Sequence, residues 1–336
     1  MPLRPPDHRE SAAATSVRPF FTVAICSRNR AASLEAAARS VLPQLRDDAE
    51  LLLVDNDSTD STPSVMAALA AADARVRAAR QPRRGIAAAR NRALEEARGR
   101  VVAFLDDDEL ALPDWLDAFR DFRCRHPEGT WAAVGGPYLS APEAPLPSWI
   151  ETNYGQFDLG GEERALRAPL SPAGGNLAVW REIAMTVGGF DESLPRHEDS
   201  ALSEQLRAAG YAVWWAPSAR VKHLIPASRI TFQAQCRMWF AEGVAVVPFR
   251  LRSVEGAGSR VVVLIARMMT TPLQSLGQAI AAGCCWTVGR QNSAARLFLR
   301  SCRGLGVARE SARRLVTAGF SSKPPLGGEP GLQSSR

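Results

Sequence analysis

The run Val101-Val102-Ala103-Phe104-Leu105 ends directly on three aspartates, Asp106-Asp107-Asp108, and few junctions restrict a fold more tightly. A short apolar, β-prone run bounded by polar residues reads as a buried strand of a parallel sheet. Open α/β sheets bind ligands outside the carboxyl ends of their strands. Three carboxylates crowded there repel one another unless a cation or hydrogen-bond donors compensate. Oxygen ligands of this kind suit Mg2+ or Mn2+, which would hold the phosphates of a nucleotide. The same residues also read as a solvated acidic turn ahead of the helix that Asp114 and Leu116 open. The junction alone leaves both readings open.

The flanking sequence repeats the pattern. Apolar β-prone runs at 20–25, 50–54 and 75–79 alternate with helical stretches at 31–41, 62–72, 85–98 and 114–123. Pro43 ends the first helix and Gly99 caps the third. Strands alternating with helices of this length predict an α/β fold with a doubly wound, mostly parallel sheet. Strands are also expected at 131–139, 176–180 and 211–215, and a helix at 199–209 stopped by Gly210. Between them, 140–172 is rich in Pro and Gly and reads as a long loop. Beyond Pro226 the chain is expected to be helical to about residue 316. The division expected is a segment without a core at 1–18, an α/β domain at 19–226, a basic helical region at 227–318 and a second coreless tail at 319–336.

Composition narrows the setting. Hydrophobic residues make up 46% of the 336, enough for a substantial core. The six cysteines include no CxxC pair, and no Cys/His cluster has zinc spacing. No signal-peptide pattern opens the chain, so a reduced, cytoplasmic protein is expected. From Arg250 onward, thirteen Lys/Arg face three Asp/Glu, a balance of +10, which leaves −4 on the first 249 residues of a chain with net charge +6. A basic end on an acidic body suggests an anionic partner, nucleic acid or lipid. There is no G-x-G-x-x-G after the first strand and no P-loop, so dinucleotide-binding and P-loop mechanisms lose their support.

At the second strand end, Asp55-Asn56-Asp57 could accept hydrogen bonds from a base or ribose, or only cap the next helix with Ser58 and Thr59. Glu198-Asp199 stands where a helix dipole favours negative charge, and a carboxylate there could cap the helix or take a proton from a hydroxyl. Trp149 and Tyr154, in the long loop, could stack on a sugar ring or anchor the loop. Trp214 and Trp215 are neighbours in a strand and face opposite ways.

Four motifs then follow in order: Val23-Ala24-Ile25-Cys26-Ser27-Arg28-Asn29-Arg30, Leu53-Val54-Asp55-Asn56-Asp57-Ser58-Thr59-Asp60, Gly85-Ile86-Ala87-Ala88-Ala89-Arg90-Asn91 and Phe104-Leu105-Asp106-Asp107-Asp108. Together they resemble the family-2 glycosyltransferases with the GT-A fold, over residues 20–226. Further marks of that fold are Gly174-Gly175-Asn176, Glu198-Asp199 and the late His223. The resemblance implies an inverting, metal-dependent transfer of a sugar from a nucleotide-diphosphate sugar, a UDP-sugar first, to a saccharide or lipid-linked saccharide in cell-surface polysaccharide or glycolipid synthesis.

It implies that Ser27, Asp55, Asn56, Asp57, Arg90, Asp106 and Asp107 hold the donor nucleotide and that Asp108 and His223 bind Mn2+ or Mg2+. Asp199 is then the catalytic base and Glu198 orients the acceptor or the base, while Gly174, Gly175, Asn176 and Trp149 line the acceptor or sugar site. Many relatives have Asp where this chain has Asn56, which loosens the expectation for the base. His197, beside the acidic pair, could touch the acceptor or only the loop.

Two other classes compete. A nucleotidyltransferase needs a basic glycine-rich loop early in the chain, for which Arg83-Arg84-Gly85 is a poor substitute. A nucleic-acid-binding module would use the arginine-rich end but leaves the acidic strand ends without a role. In that end, Val261, Leu264, Ile265, Met268, Leu273, Leu276 and Ile280 approximate one helical face, and arginines from Arg290 to Arg314 follow. Apolar faces bordered by arginines fit a peripheral helix on the anionic inner face of a plasma membrane. They also fit a soluble hairpin packed on the catalytic domain.

Overall fold

The computed structural model describes residues 18–320, with side chains described through residue 317. The terminal segments expected to lack a core thus fall almost wholly outside the described residues. The strands are β1 (Phe21–Ser27), β2 (Ala49–Asp55), β3 (Val76–Arg80), β4 (Val101–Leu105), β5 (Glu109–Ala111), β6 (Ala133–Gly135), β7 (Tyr138–Pro142), β8 (Arg164–Ala165), β9 (Asn176–Trp180), β10 (Val213–Trp215) and β11 (Val221–Ile225). The helices are α1 (Ala31–Val41), α2 (Thr62–Ala72), α3 (Ile86–Glu96), α4 (Trp115–Arg125), α5 (Arg181–Thr186), α6 (Glu198–Ala208), α7 (Phe232–Leu251), α8 (Ala257–Thr287) and α9 (Gln291–Phe320).

Eight strands form one sheet in the order β3-β2-β1-β4-β9-β6-β10-β8. The first four are parallel, as the alternating pattern predicts, and β9 runs antiparallel between β4 and β6. Successive side chains of a strand point to opposite faces. Val23, Ile25, Leu51 and Leu53 accordingly join the core under α1, α2 and α4, while Ala24, Cys26, Leu52 and Val54 join the core under α3 and α6. Burial on both faces is why these strands read as unbroken apolar runs rather than as alternating ones.

The 131–139 strand is in fact two. Gly135-Gly136-Pro137 turns the chain out of the large sheet, and a Cβ at Gly136 would collide with the Ala219 carbonyl. β7 then pairs with β11, and β11 with β5, in a separate three-stranded sheet. Strands β5, β8 and β11 and the short α5 escape sequence reading because two- to six-residue elements carry too little periodicity. The small sheet brings His223, on β11, opposite Glu109, immediately after the three aspartates.

Beyond Pro226 the chain is helical, as expected. Gly243 of α7 and Gly306 of α9 sit where any Cβ would strike the carbonyls of Arg303 and Phe240, so α7 and α9 touch backbone to backbone. The apolar face read along α8 is divided by the structure. Leu264 is buried together with Ser275 and Ala282, whereas Val262, Ile265, Met269, Leu273, Leu276 and Ile280 are exposed. Leu264 and small residues thus face the helix partners, and most of the large apolar ones face outward.

Candidate active site

The parallel register aligns the carboxyl ends of the first strands: Ser27 lies opposite Asp55, and Ala24 opposite Phe104. The loops that follow therefore share one edge of the sheet. Ser27 Oγ donates to Asp107 Oδ2 at 2.7 Å, joining the first and third of these strand ends directly. Asp55 accepts from the Ser58 N–H at 3.1 Å and so builds the turn itself. Asn56 gives both amide hydrogens to the Gln81 and Arg83 carbonyls and accepts the Gly85 N–H at 2.9 Å. Its side chain thus positions the loop leading into α3. Asp57, with φ of 60°, pairs with Arg80 and Arg84.

The three aspartates have three different environments. Asp106 is bridged by Arg90, whose other nitrogen holds the buried Glu198 at 2.5 Å. Arg90 is itself buried, between Phe104 and Phe190, and its two carboxylates hold it in the charged form against the burial. Asp107 is buried, and burial pushes it up to about 6 although Arg30 and Ser27 pull the other way. For Asp108, burial is outweighed by Arg229 and Arg30, which keep it below the ordinary carboxylate range. Both arginines reach the same oxygen, Oδ2, at 2.9 Å. Burial and the neighbouring aspartates drive Glu109, next in the chain, well upward.

A divalent ion fits this donor set. Oδ1 of Asp108 has no protein partner among the described residues. His223 Nδ1 lies 3.0 Å from the Gly155 carbonyl, which can only accept, so Nδ1 carries the proton and Nε2 keeps its lone pair. The backbone N–H of Leu224 donates to the Asp108 carbonyl at 2.8 Å, which fixes His223 beside the aspartates. No three His, Cys, Asp or Glu side chains among the described residues form a ready cage. Mg2+ ordinarily uses one or two carboxylates and takes its other ligands from phosphates and water.

Across the cleft, the glycine loop approaches the acids closely. A Cβ on Gly175 would fall 2.5 Å from the Asp106 carboxylate, and one on Gly174 would strike the Arg90 guanidinium. Asp199 accepts the Gly174 N–H at 2.8 Å and the Ser200 N–H at 2.6 Å, which points one oxygen at the loop and fixes the carboxyl plane. Glu198 begins α6 and is pushed upward by burial, with Arg90 opposing. Arg90, Asp106, Tyr138, Gly174, Glu198 and Asp199 together line a cleft of about 370 Å³.

Two residues assigned to the acceptor lie elsewhere. Asn176 is fully buried, with its amide engaged by the Trp115 indole N–H and by the Pro137 and Ala219 carbonyls, so it braces the sheet. Trp149 packs edge-on against Phe232 at 5.4 Å and lines a separate, apolar pocket with residues of α8 and α9. Trp215 is core, and Trp214 meets His126 in a tilted ring contact at 4.3 Å. His197, with φ of 67°, approaches Glu242 of α7 at 3.0 Å and stacks on Phe249, which ties the Glu198–Asp199 turn to the helical region. Four participants have no assignment from sequence: Arg30, Glu109, Tyr138 and Arg229. Arg30 stands inside the first motif, but nothing local marks Arg229, which meets Asp108 across more than a hundred residues.

Residues 22–168 match the model of the glycosyl transferase family 2. A glucosyl-dolichyl phosphate glucuronosyltransferase of Haloferax volcanii is 27% identical over 225 residues, 63% of this chain and 71% of that protein. A pre-mycofactocin glycosyltransferase of Mycobacterium tuberculosis is 29% identical over 205 residues, 59% of this chain but 41% of its own length. Among solved structures, a mannosyltransferase from Pyrobaculum calidifontis in complex with GDP-Man and Mn2+ superposes with a TM-score of 0.54 at 20% identity, covering 92% of this chain and 77% of that one. Strand order, acidic strand end, family match and relatives agree: residues 22–168 carry the pattern of glycosyl transferase family 2, and the chain has the GT-A fold.

Proposed function

We propose that the cleft transfers a sugar, with inversion, from a nucleotide-diphosphate sugar to a saccharide hydroxyl. The observation that carries this reading is the facing of Asp199 and the Arg90-bridged Asp106 across one cleft. Asp199 takes the proton of the acceptor hydroxyl as that oxygen attacks the anomeric carbon from the face opposite the diphosphate. The bond from that carbon to the diphosphate oxygen breaks, and the nucleoside diphosphate leaves. Its two fixed N–H donors keep Asp199 from rotating away from the hydroxyl. Glu198 acts through Arg90, holding it so that its other nitrogen fixes Asp106 beside the donor.

Asp108 and His223 would hold Mn2+ or Mg2+, which supplies charge neutralisation for the leaving diphosphate. Arg30 and Arg229 stand at the same carboxylate and can turn to the phosphates. A UDP-sugar is the first donor to test, and the GDP-Man in the Pyrobaculum enzyme makes a GDP-sugar the second. The experiment is a donor-binding screen over UDP-, GDP- and dTDP-sugars with each metal, on the wild type and on Asp108→Ala. Metal-dependent donor binding that survives in Asp108→Ala would remove Asp108 from the metal site.

We also infer that the acceptor is lipid-linked and is met at an anionic membrane surface. The support is the inverted α8, whose outward apolar stripe from Val262 to Ile280 runs about 27 Å along the helix axis. No helix among the described residues is long and apolar enough to cross a membrane. A helix lying in the interface would bury such a stripe without spanning. Leu273→Glu with Leu276→Glu should release the chain from anionic liposomes while leaving donor binding unchanged. Equal co-sedimentation of that variant would show the stripe to be unrelated to the membrane.

A further inference from the structure

A second polar site lies outside the transferase cleft. Between α7, α8 and α9 is a cavity of about 440 Å³ into which Arg250, Arg267, Arg300 and Arg303 converge, with Gln274 and Gln278 beside them. No carboxylate among the described residues lines it. Elsewhere the arginines are usually paired, as Arg30, Arg90 and Arg120 are. Among the described residues, Arg250, Arg267 and Arg300 have no ion pair, and the nearest acid to Arg303 is Glu242, at 4.0 Å.

Two further polar atoms at this place are buried without partners. They are the Arg303 Nε and the hydroxyl of Ser275, a residue only 2% exposed. Ser275 reaches its position because its partner across the helix pair is Gly304, where any Cβ would collide with the hydroxyl. Burial and the nearby Arg250 both make the Arg267 guanidinium less easily protonated than usual, a sign of positive charge without compensation.

Four guanidinium groups, a hydroxyl and two amides form a donor-rich, acid-free cavity. Guanidinium forks match phosphate oxygens in pairs, and an unsatisfied buried donor is costly until an acceptor meets it. We propose that this cavity binds a phosphate or diphosphate group, either free in solution or presented by an anionic lipid. The inference stands on the helical region alone and does not depend on the assignment of the transferase residues. The outward stripe of α8 places a lipid headgroup within reach of the same helix.

The test uses the full chain. Binding of inorganic pyrophosphate is followed by calorimetry, and flotation is followed with vesicles of phosphatidylcholine alone or with phosphatidylglycerol added. The same measurements are made on Arg267→Gln/Arg300→Gln. The single variant Arg300→Gln, at an exposed position, guards against misfolding of the double one. Donor binding and a thermal melt report an intact fold in each.

If the source is free phosphate, pyrophosphate binds and the double variant loses on the order of tenfold or more in affinity, as loss of charge-assisted hydrogen bonds implies. If it is a headgroup, pyrophosphate fails but phosphatidylglycerol vesicles bind, and the double variant floats with them on the order of tenfold less. Either result supports the site. Absence of binding to both probes overturns it, as does binding that neither variant weakens. The transferase reading fails separately, through Asp108→Ala, and neither failure mimics the other.

Discussion

Replacing Asp107 by asparagine should stabilise the protein at neutral pH, although the residue lies at the centre of the site. Burial lifts the Asp107 carboxyl from its ordinary 3.8 to about 6, after the help of Arg30 and Ser27 is included. A group whose folded pKa is raised contributes stability below its unfolded pKa and loses it as pH rises through the folded value. For Asp107 the loss runs from just below pH 4 to just above pH 6. At about 1.4 kcal/mol per pH unit, holding the ionised carboxylate costs about 3 kcal/mol above that window. The amide of Asp107→Asn would keep the shape and the hydrogen bond from Ser27 without the charge.

The gain corresponds to a rise in Tm of roughly 4–5 °C near pH 8 for a chain of this size, shrinking towards nothing below pH 4. Paired thermal melts of wild type and variant across pH 4–8 measure it. A variant no more stable than wild type at pH 8, or a gain that grows as the solution is acidified, would refute the argument. The same experiment with Mn2+ and donor present should narrow the gap, since a bound cation removes the repulsion among Asp106, Asp107 and Asp108.

Asp199→Asn should retain nucleotide-sugar binding and lose about 10²- to 10⁴-fold in turnover, the usual worth of general-base help. Near-normal turnover with an unchanged pH profile would exclude it as the base. Arg90→Met should cost about 3–5 kcal/mol of stability, because Glu198 is left buried and unpaired. That loss should diminish as pH falls, since the Glu198 carboxyl is already pushed upward and protonation removes the orphaned charge. Arg90→Lys should not restore it in denaturant melts, because one ammonium cannot span Asp106 and Glu198 as the fork does.

The parallel half of the sheet was legible because strands buried on both faces leave unbroken apolar runs, and each run ends in polar residues that must lie at the same edge. Asp106 and Asp107 follow from that rule, whereas Ser27 came only with the motif resemblance. The glycines at 174 and 175 were also visible, but their physical role was not. They are bare so that Arg90 and Asp106 can approach, which only the packed structure reveals. Asn176 carried the family pattern, yet the core claims its amide. Periodicity found the apolar face of α8 and could not tell which side the protein covers, because that depends on the small residues of α9. Arg229, Tyr138 and Glu242 reach the site by tertiary contact and leave no local signal.

These contacts bear on how the helical region relates to the chemistry. The expected boundary at residue 226 follows a change from strands to helices, but the charges do not respect it. Arg229 meets Asp108 just beyond that boundary, His197 of the Glu198–Asp199 turn meets Glu242 of α7, and Arg252 meets Asp191 at 3.4 Å. The first touches the carboxylate proposed for the metal, and the second abuts the turn that carries the proposed base. Arg229 stands in the turn before α7, and Gln235 of α7 donates to its carbonyl at 2.8 Å, so a displacement of α7 bears on both halves of the site. Protonation of His197, favoured by Glu242, strengthens the second link, and it weakens as pH rises through the imidazole's elevated range. If lipid engages the outward face of α8, its effect has a short route to the cleft, since α8 packs on α9, α9 packs on α7, and α7 carries Glu242. Glu242→Gln separates this route from binding itself: liposome association should persist, while any liposome-dependent change in turnover should fall away.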